Sequence, residues 1–338
     1  MRAYKRAARP ALSSGFMTHR DPQAYLQHLL ERFKGERGGN PATTPETPGN
    51  PRNAFAIAIA TVEGEVFAAG HADHPFTLQS MSKPFIYGLA LDRFGREAVH
   101  ERVNVEPTGE AFNSITELEE DHLPYNPMIN SGAITMSAML HHDGPDRACG
   151  EMMEGLGRYL GRRMELHPEV DLSARPHRNL AIAHLLRHFE VIGDDIEGAL
   201  ALYGTQCGLA LSTRELAVMA ATLANAGVNP RTRVRALERK HVRDVLTLMF
   251  TCGMYDASGH WAYTVGLPAK SGISGGIFAV VPGRMGIAVY SPMLDKHGNS
   301  VRGVEVFKAM SADGNLSMFA VPGEKGGPPS PEAAQEAA

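Results

Sequence analysis

Hydrophobic and polar residues repeat with two different periods along the chain. From residue 21 to 34 the large apolar residues recur at intervals of three and four, which predicts a short amphipathic helix. Residues 54–70 instead form two apolar runs on either side of Glu63-Gly64, a pattern that predicts a β-hairpin. A second pair of strands is predicted in the last third of the chain, at 276–281 and 285–290.

The pattern between these hairpins is mainly helical. A helix is predicted to begin at Ser80 and to stop near Gly95, and a helical region follows from about 130 to 252. Within that region Ser212-Thr213-Arg214-Glu215 is a capping box, which predicts the start of a helix. A last helix is predicted at 299–311.

Strands at both chain ends, with helices between them, predict an α/β fold of the α+β type. One antiparallel sheet is built from the two ends and flanked by helices, and the middle of the chain forms a helical lobe. The predicted sheet lobe spans 54–79 and 265–312, and the helical lobe spans 80–264. Because clefts form where two such lobes meet, a functional site is expected at their seam.

One domain is predicted from 21 to 320. Residues 1–20 contain basic but no acidic residues and lack the apolar run of a secretory signal, so a flexible extension is expected, with Met17 as an alternative start. Residues 35–53 are rich in Gly and Pro and predict a loop or linker. Residues 321–338 lack any apolar period and predict a disordered tail.

Composition narrows the class of protein. The 338 residues are 43% hydrophobic, which is enough for a substantial core, and a net charge of −4 with a pI near 6.4 argues against nucleic-acid binding. The chain contains no run of 18 apolar residues, so the sequence predicts no membrane span. The three cysteines lie far apart, and His141-His142 is interpreted as a solvated helix end, so neither disulfides nor a metal site is expected. The composition predicts a soluble, cytoplasmic globular protein.

The first candidate chemistry lies at the predicted strand-to-helix junction. Ser80 and Lys83 are three residues apart, so a lysine lies one helical turn from a serine hydroxyl. A serine becomes nucleophilic when a base takes its proton, and lysine can act as that base once burial lowers its pKa. Nearby apolar residues could exclude water: Phe76, Phe85 and Ile86. The tetrad alone is a weak signal, because a surface lysine near a helix cap gives the same pattern.

Two further polar segments strengthen this interpretation. Lys270-Ser271-Gly272 directly precedes a predicted strand, and in S-x-x-K acyl-transfer enzymes such a triad lines the cleft opposite the nucleophile. Between the two lies Asn130, whose amide could contact a substrate or could simply be a helix N-cap. The order of the three elements favours acyl transfer over chance.

Longer motifs extend the pattern over about residues 20–312. They are Gln79–Pro84, Glu106–Gly109, Phe112-Asn113, Asn126–Ile134, Met219–Gly227, Cys252–Asp256 and Gly266–Gly272. Together they resemble the serine-dependent glutaminase family, which has the serine β-lactamase/transpeptidase-like fold. The resemblance implies hydrolysis of L-glutamine to L-glutamate and ammonia without metal or organic cofactor. It also implies a homo-oligomer, either a homodimer or a homotetramer, that binds no nucleic acid or membrane.

The resemblance also implies roles for particular residues. Ser80 corresponds to the nucleophile, Lys83 to its general base, and Tyr255 to a proton relay toward the departing ammonia. Without the family, Tyr255 would be interpreted as an ordinary core or loop tyrosine. The implied substrate contacts are Ser80, Asn130, Asn179, Tyr203, Tyr255 and Ile273, the last through the backbone N–H that completes the oxyanion hole.

The chain departs from the family pattern in the substrate pocket. The family glutamate that pairs with the substrate ammonium falls on Leu172 or, with a two-residue deletion, on Ala174. Asp171 or Glu169 could take its place, since an ammonium without a counter-charge is costly to bury. The family also has a pocket tyrosine before the first strand, whereas no tyrosine occurs between residues 26 and 86.

These departures leave other functions open. A related amidase or esterase would differ from a glutaminase in its substrate pocket, and the pocket departures described above would be sufficient for that. A penicillin-interacting peptidase shares the tetrad but would be exported, and no export signal is seen. A non-catalytic glutamine-binding paralogue has no physical need for Ser80, Lys83 and Tyr255.

Overall fold

The computed structural model describes residues 21–42, 51–109, 122–142, 144–173 and 176–321. The predicted N-terminal extension, the tail beyond residue 321, Phe112-Asn113 and Ala174 lie outside the described residues. The helices are α1 (Pro22–Phe33), α2 (Lys83–His100), α3 (Asn130–His141), α4 (Pro145–Leu160), α5 (His177–His188), α6 (Ile196–Gly208), α7 (Thr213–Ala224), α8 (Arg239–Cys252), α9 (Ser258–Thr264) and α10 (Val301–Gly314). The strands are β1 (Asn40–Pro41), β2 (Ala56–Thr61), β3 (Val66–Gly70), β4 (Phe76–Thr77), β5 (Glu165–Leu166), β6 (Leu209–Leu211), β7 (Ala269–Ser271), β8 (Gly276–Val281), β9 (Met285–Tyr290) and β10 (Met293–Leu294).

The hairpins from the two chain ends pair in one antiparallel sheet, as predicted. Its strand order is β3-β2-β9-β8-β7, so β2 lies between its own hairpin partner and a strand from the C-terminal hairpin. In that central pairing Ala58 lies opposite Ala288. Every residue of β8 and β9 is buried, because helices cover both faces of the sheet.

Alternate residues of β2 face the two helical layers. Ala56, Ala58 and Ala60 belong to the core on the α7 side, whereas Ile57 and Ile59 pack with α1 and α10. The small side chains on the first face let α7 approach closely. At Gly286 of β9 the approach is closest, since an added Cβ would lie 2.2 Å from the backbone nitrogen of Ala221.

The helical lobe has a core of its own around α3. This helix packs against α2, α4, α5 and α6, and its apolar contacts include Ile134 with Ile182 and Leu200. The N-terminus of α3 lies near the N-terminus of α2, where Lys83 contacts Asn130. A small sheet of order β4-β6-β5 precedes α2 through β4.

The structure corrects several predicted boundaries. Ser80 lies in a 3₁₀ turn, Gln79–Ser82, and α2 begins after it at Lys83. Gly95 has a φ of 81° and a ψ of 164°, outside the helical region, so the helix that begins at Lys83 breaks at the predicted stop, and a further helical segment continues to His100. The capping box at Ser212 is confirmed, with both reciprocal hydrogen bonds present.

Two other predictions need adjustment. The last helix ends at Gly314 rather than at the predicted residue 311. Asn315, whose backbone is in the left-handed region, provides its C-cap. The predicted linker 35–53 contains β1, which pairs with β10. Among the described residues, no helix combines the length and the hydropathy that a membrane span requires. Within the same ranges, no group of three His, Cys, Asp or Glu side chains is placed to hold a metal ion.

Candidate active site

Ser80 lies in a turn that contacts β7 and β8 of the main sheet as well as α6. Its 3₁₀ turn connects β4 to α2, and the preceding Gln79 has a φ of 50°. A non-glycine residue in this left-handed region is strained and is kept there only by its surroundings. The hydroxyl of Ser82 donates to the carbonyl of Gln79 across 2.8 Å and so helps to fix the turn. The strained turn presents the Ser80 side chain at the edge of the core, 7% exposed.

Lys83 has the properties that a general base requires. It is the first residue of α2 and is fully buried, with the predicted apolar neighbours Phe76, Phe85 and Ile86 buried as well. Burial lowers the pKa of its amine from 10.5 to about 8. Its Nζ donates to the side-chain oxygen of Asn130 across 2.7 Å. The interpretation of Lys83 as a surface lysine is therefore wrong.

Asn130 connects three of the residues that the sequence assigned to substrate binding. Its Oδ1 accepts hydrogen bonds from Lys83 and, across 3.2 Å, from the hydroxyl of Tyr203. Its Nδ2 donates to Oδ1 of Asn179 across 3.1 Å. Asn130 is the first helical residue of α3, and the N-cap position is Ile129. The Asn130 side chain thus serves the site rather than the helix end.

Tyr255 is buried and lies next to Ser80. Its hydroxyl donates to the carbonyl of Ser271 across 3.1 Å and also shares a hydrogen bond with the Ser80 side chain. Burial raises the pKa of the phenol to about 12, and the two hydrogen bonds oppose that rise. The phenol is therefore protonated at neutral pH and beside the predicted nucleophile.

The edge strand β7 forms the wall opposite Ser80. An added Cβ at Gly272 would lie 3.2 Å from the side chain of Met81, so the strand end approaches the nucleophile turn closely. Ile273 follows at this point and is partly buried. An added Cβ at Gly298 would lie 3.7 Å from the Tyr255 ring and 4.0 Å from Ile273, so both residues lie close to Gly298.

The candidate substitutes for the missing glutamate lie in the loop before α5. Asp171 is exposed, and its Oδ1 accepts from the N–H and the hydroxyl of Ser173 across 2.8 Å and 2.6 Å. Glu169 is also exposed. Between them, Val170 lies close to Gly208 at the end of α6, the helix that contains Tyr203. The loop therefore borders the site, with both carboxylates on its solvent side.

Two buried residues near the site were not assigned a role from the sequence. Cys207 lies one helical turn after Tyr203 and is close enough to Lys83 and Tyr255 to raise the pKa of each. The spacing of four residues on a predicted helix could have suggested this position. Lys270 lies with its Nζ 4.1 Å from the centre of the Tyr255 ring. The sequence placed Lys270 in the cleft wall but gave no sign of this contact.

Known proteins of one family resemble this chain in both sequence and structure. A glutaminase family model matches residues 38–319. The glutaminase of Microcystis aeruginosa is 46% identical over 300 residues, which cover 88% of this chain and 89% of the relative. The solved structure of the probable glutaminase ybaS has a TM-score of 0.84 at 36% identity and covers 88% of this chain and 98% of its own. The glutamate form of Mglu has a TM-score of 0.83 at 38% identity, covering 89% of this chain and 70% of its own. The chain belongs to the glutaminase family and has its serine β-lactamase-like fold.

Proposed function

We propose that this protein hydrolyses L-glutamine to L-glutamate and ammonia, with Ser80 as nucleophile and Lys83 as general base. The observation that supports these roles best is the complete burial of Lys83, which lowers its pKa to about 8 one turn from Ser80. Proteins named glutaminase at 40–46% identity support the substrate. Mglu, a structural relative, has been solved in its glutamate form.

The first half of the proposed reaction forms an acyl-enzyme. Ser80 Oγ attacks the carbon of the side-chain amide while its proton passes to Lys83. The backbone N–H groups of Ser80 and Ile273 stabilise the oxyanion, and each such donor contributes about 10²–10³ to kcat. Tyr255 then passes a proton to the amide nitrogen as the C–N bond breaks and ammonia leaves, and Tyr255 regains a proton from Lys83, whose amine is then neutral again.

The second half releases the product. A water molecule loses a proton to Lys83 and attacks the acyl ester, and the C–O bond to Ser80 breaks. The proton returns to Ser80 Oγ, which regenerates the free serine, and L-glutamate departs. No cofactor is needed, because both steps are proton-coupled acyl transfers.

In this proposal three polar residues hold the substrate. Asn130, Asn179 and Tyr203 already form one hydrogen-bonded group around the Lys83 amine. A ligand that breaks one of these hydrogen bonds must offer a hydrogen-bonding group of its own in exchange. This requirement favours a substrate with polar groups at both ends. We assign the substrate ammonium to the loop that contains Asp171 and Glu169.

Ammonia release from L-glutamine tests the proposal directly. Purified protein should release ammonia, and the Ser80→Ala variant should release none while keeping the melting temperature of the parent. Release that persists in Ser80→Ala contradicts the assignment of the nucleophile. A folded parent without any release contradicts the glutaminase activity and leaves a non-catalytic glutamine-binding protein as the alternative.

An amidase with a different substrate is the second candidate. The reason is that, in one alignment, Leu172 occupies the position of the family glutamate. Such an enzyme would cleave amides that lack the α-amino group faster than L-glutamine. Comparing kcat/KM for L-glutamine and for 4-carbamoylbutyrate, the same amide without the amino group, separates the two functions. A higher value for L-glutamine excludes the second one.

The assembly and the location of the protein remain predictions. We propose a homodimer or homotetramer in the cytoplasm. Light scattering on the purified protein measures the first, and fractionation of cells that express the full chain measures the second. A monomeric mass or an exported protein contradicts the corresponding prediction.

A further inference from the structure

Tyr255 has a backbone conformation that needs support from its surroundings. Its φ of 57° lies in the left-handed region, which is sterically unfavourable for a tyrosine. The hydroxyl of Ser258 donates to the Tyr255 carbonyl across 2.7 Å and accepts from the N–H of Met254 across 3.1 Å. These bonds fix the backbone, but they leave the direction of the phenol ring to other contacts.

The ring and its hydroxyl are both held by β7. Lys270 Nζ lies 4.1 Å from the centre of the Tyr255 ring, so the end of the lysine side chain packs on the ring face. The same Nζ donates to the carbonyl of Ser271 across 2.9 Å. The hydroxyl of Tyr255 donates to that same carbonyl across 3.1 Å. One carbonyl thus accepts from both side chains, and the amine also covers the ring.

Lys270 makes no contact that would otherwise explain a buried lysine. It is fully buried, and within the described residues it forms no ion pair with a carboxylate. Burial, and then the neighbouring Lys83, hold the pKa of its amine well below the usual value. Burying such a group without a counter-charge costs stability, so an apolar side chain of the same length would suit the core better.

We propose that Lys270 is a positioning residue for Tyr255, holding the phenol so that its hydroxyl faces Ser80. The inference rests on the proposed function, in which Tyr255 passes a proton to the departing ammonia. Lys270 acts through Tyr255 and touches no reacting atom. Its removal should therefore affect the chemical step and leave substrate binding nearly intact.

A double-mutant cycle on Lys270 and Tyr255 tests the proposal. Loss of a proton relay costs about 10²–10⁴ in rate, so Tyr255→Phe should lower kcat by at least about 100-fold. Lys270→Met should lower kcat by about 10-fold or more, with KM changed by less than about threefold. In the double variant kcat should match that of Tyr255→Phe within about threefold, because no hydroxyl remains to be positioned. Losses that multiply, or a Lys270→Met kcat equal to that of the parent, overturn the proposal.

Melting temperatures and a control variant separate positioning from damage to the fold. Lys308→Met removes a surface lysine that pairs with Glu305, and it should leave kcat unchanged. If Lys270→Met does not fold, Lys270→Gln takes its place in the same cycle, since glutamine keeps a donor but removes the amine from the ring.

A crystal structure of the Lys270 variant gives a readout that does not depend on turnover. The hydroxyl of Tyr255 should move beyond hydrogen-bond distance of the Ser271 carbonyl. A hydroxyl that stays in place overturns the positioning role, even if the parent shows no glutaminase activity. Absence of activity in the parent contradicts the proposed function alone.

Discussion

The amine of Lys83 and the side-chain oxygen of Asn130 are joined by a hydrogen bond of 2.7 Å between α2 and α3. An amide oxygen orients the amine without placing a full negative charge beside it. The pKa of Lys83 therefore stays near 8, where burial has lowered it. A carboxylate at the same place would hold the amine equally well but would keep it protonated and useless as a base.

The rate should follow the deprotonation of Lys83. A base must be neutral to accept the serine proton, so kcat/KM for L-glutamine should rise with pH and level off above about 8. Lys83→Met should abolish turnover over the whole range. A flat profile between pH 6.5 and 9, in protein that remains folded, would exclude Lys83 as the group that titrates.

Asn130→Asp should move that profile in a known direction. An opposite charge within about 4–6 Å shifts a pKa by about 1–3 units, and here it would raise the pKa of Lys83. The rising limb of kcat/KM should therefore move to higher pH by at least about one unit, with lower activity at neutral pH. Aspartate has nearly the same shape as asparagine. Stopped assays at several pH values measure kcat/KM and therefore the position of the rising limb. An unshifted limb would mean that the titrating group is not in contact with residue 130.

Gly132→Ala should destabilise the site and lower activity. An added Cβ would lie 2.1 Å from the carbonyl oxygen of Asn126, so the segment before α3 has to move away from the helix. Overpacking of this kind costs about 1–3 kcal/mol, which urea unfolding can measure.

Gly150→Ala is the matched control, since nothing lies within 4 Å of a Cβ added there in α4. That change should raise the free energy of unfolding by up to about 1 kcal/mol through helix propensity. Equal stability of the two variants would contradict the close approach at Gly132.

Asp171→Asn tests how the substrate ammonium is recognised. If Asp171 replaces the family glutamate, the variant should raise KM for L-glutamine about 10-fold or more with little change in kcat. Glu169→Gln is the matched comparison on the same exposed loop. An unchanged KM in Asp171→Asn together with a raised KM in Glu169→Gln would move the role to Glu169, and no effect in either would remove both from the pocket.

Much of the fold was predictable because its elements have strong local patterns. The strands at 276–281 and 285–290 have the predicted bounds. The capping box at Ser212 is a local signal and was equally reliable. Gly95 marks a break in the helical dihedrals, as predicted, because a glycine adopts a positive φ at little cost, although a further helical segment continues to His100.

The site was predictable only in part. Spacing and residue type identified Ser80, Lys83 and Asn130 from the sequence. These residues lie at or just before the first residues of α2 and α3. The contact of Lys270 with the Tyr255 ring could not be foreseen, because it depends on how the edge strand β7 meets the 3₁₀ turn Tyr255–Ala257. Neither periodicity nor spacing encodes that distance.

The pairing of β2 with β9 also affects how the protein can be made. Ala58 and Ala288 are neighbours in the sheet, although 230 residues separate them along the chain. During synthesis the apolar N-terminal hairpin emerges early. The edge of β2 that pairs with β9 has no partner until the last third of the chain has been made. Contacts of such long range fold slowly, and an exposed apolar edge invites pairing with another chain. Nascent chains and fragments that stop before residue 290 should therefore aggregate, and production of the protein should depend on chaperones that shield this hairpin until β9 arrives.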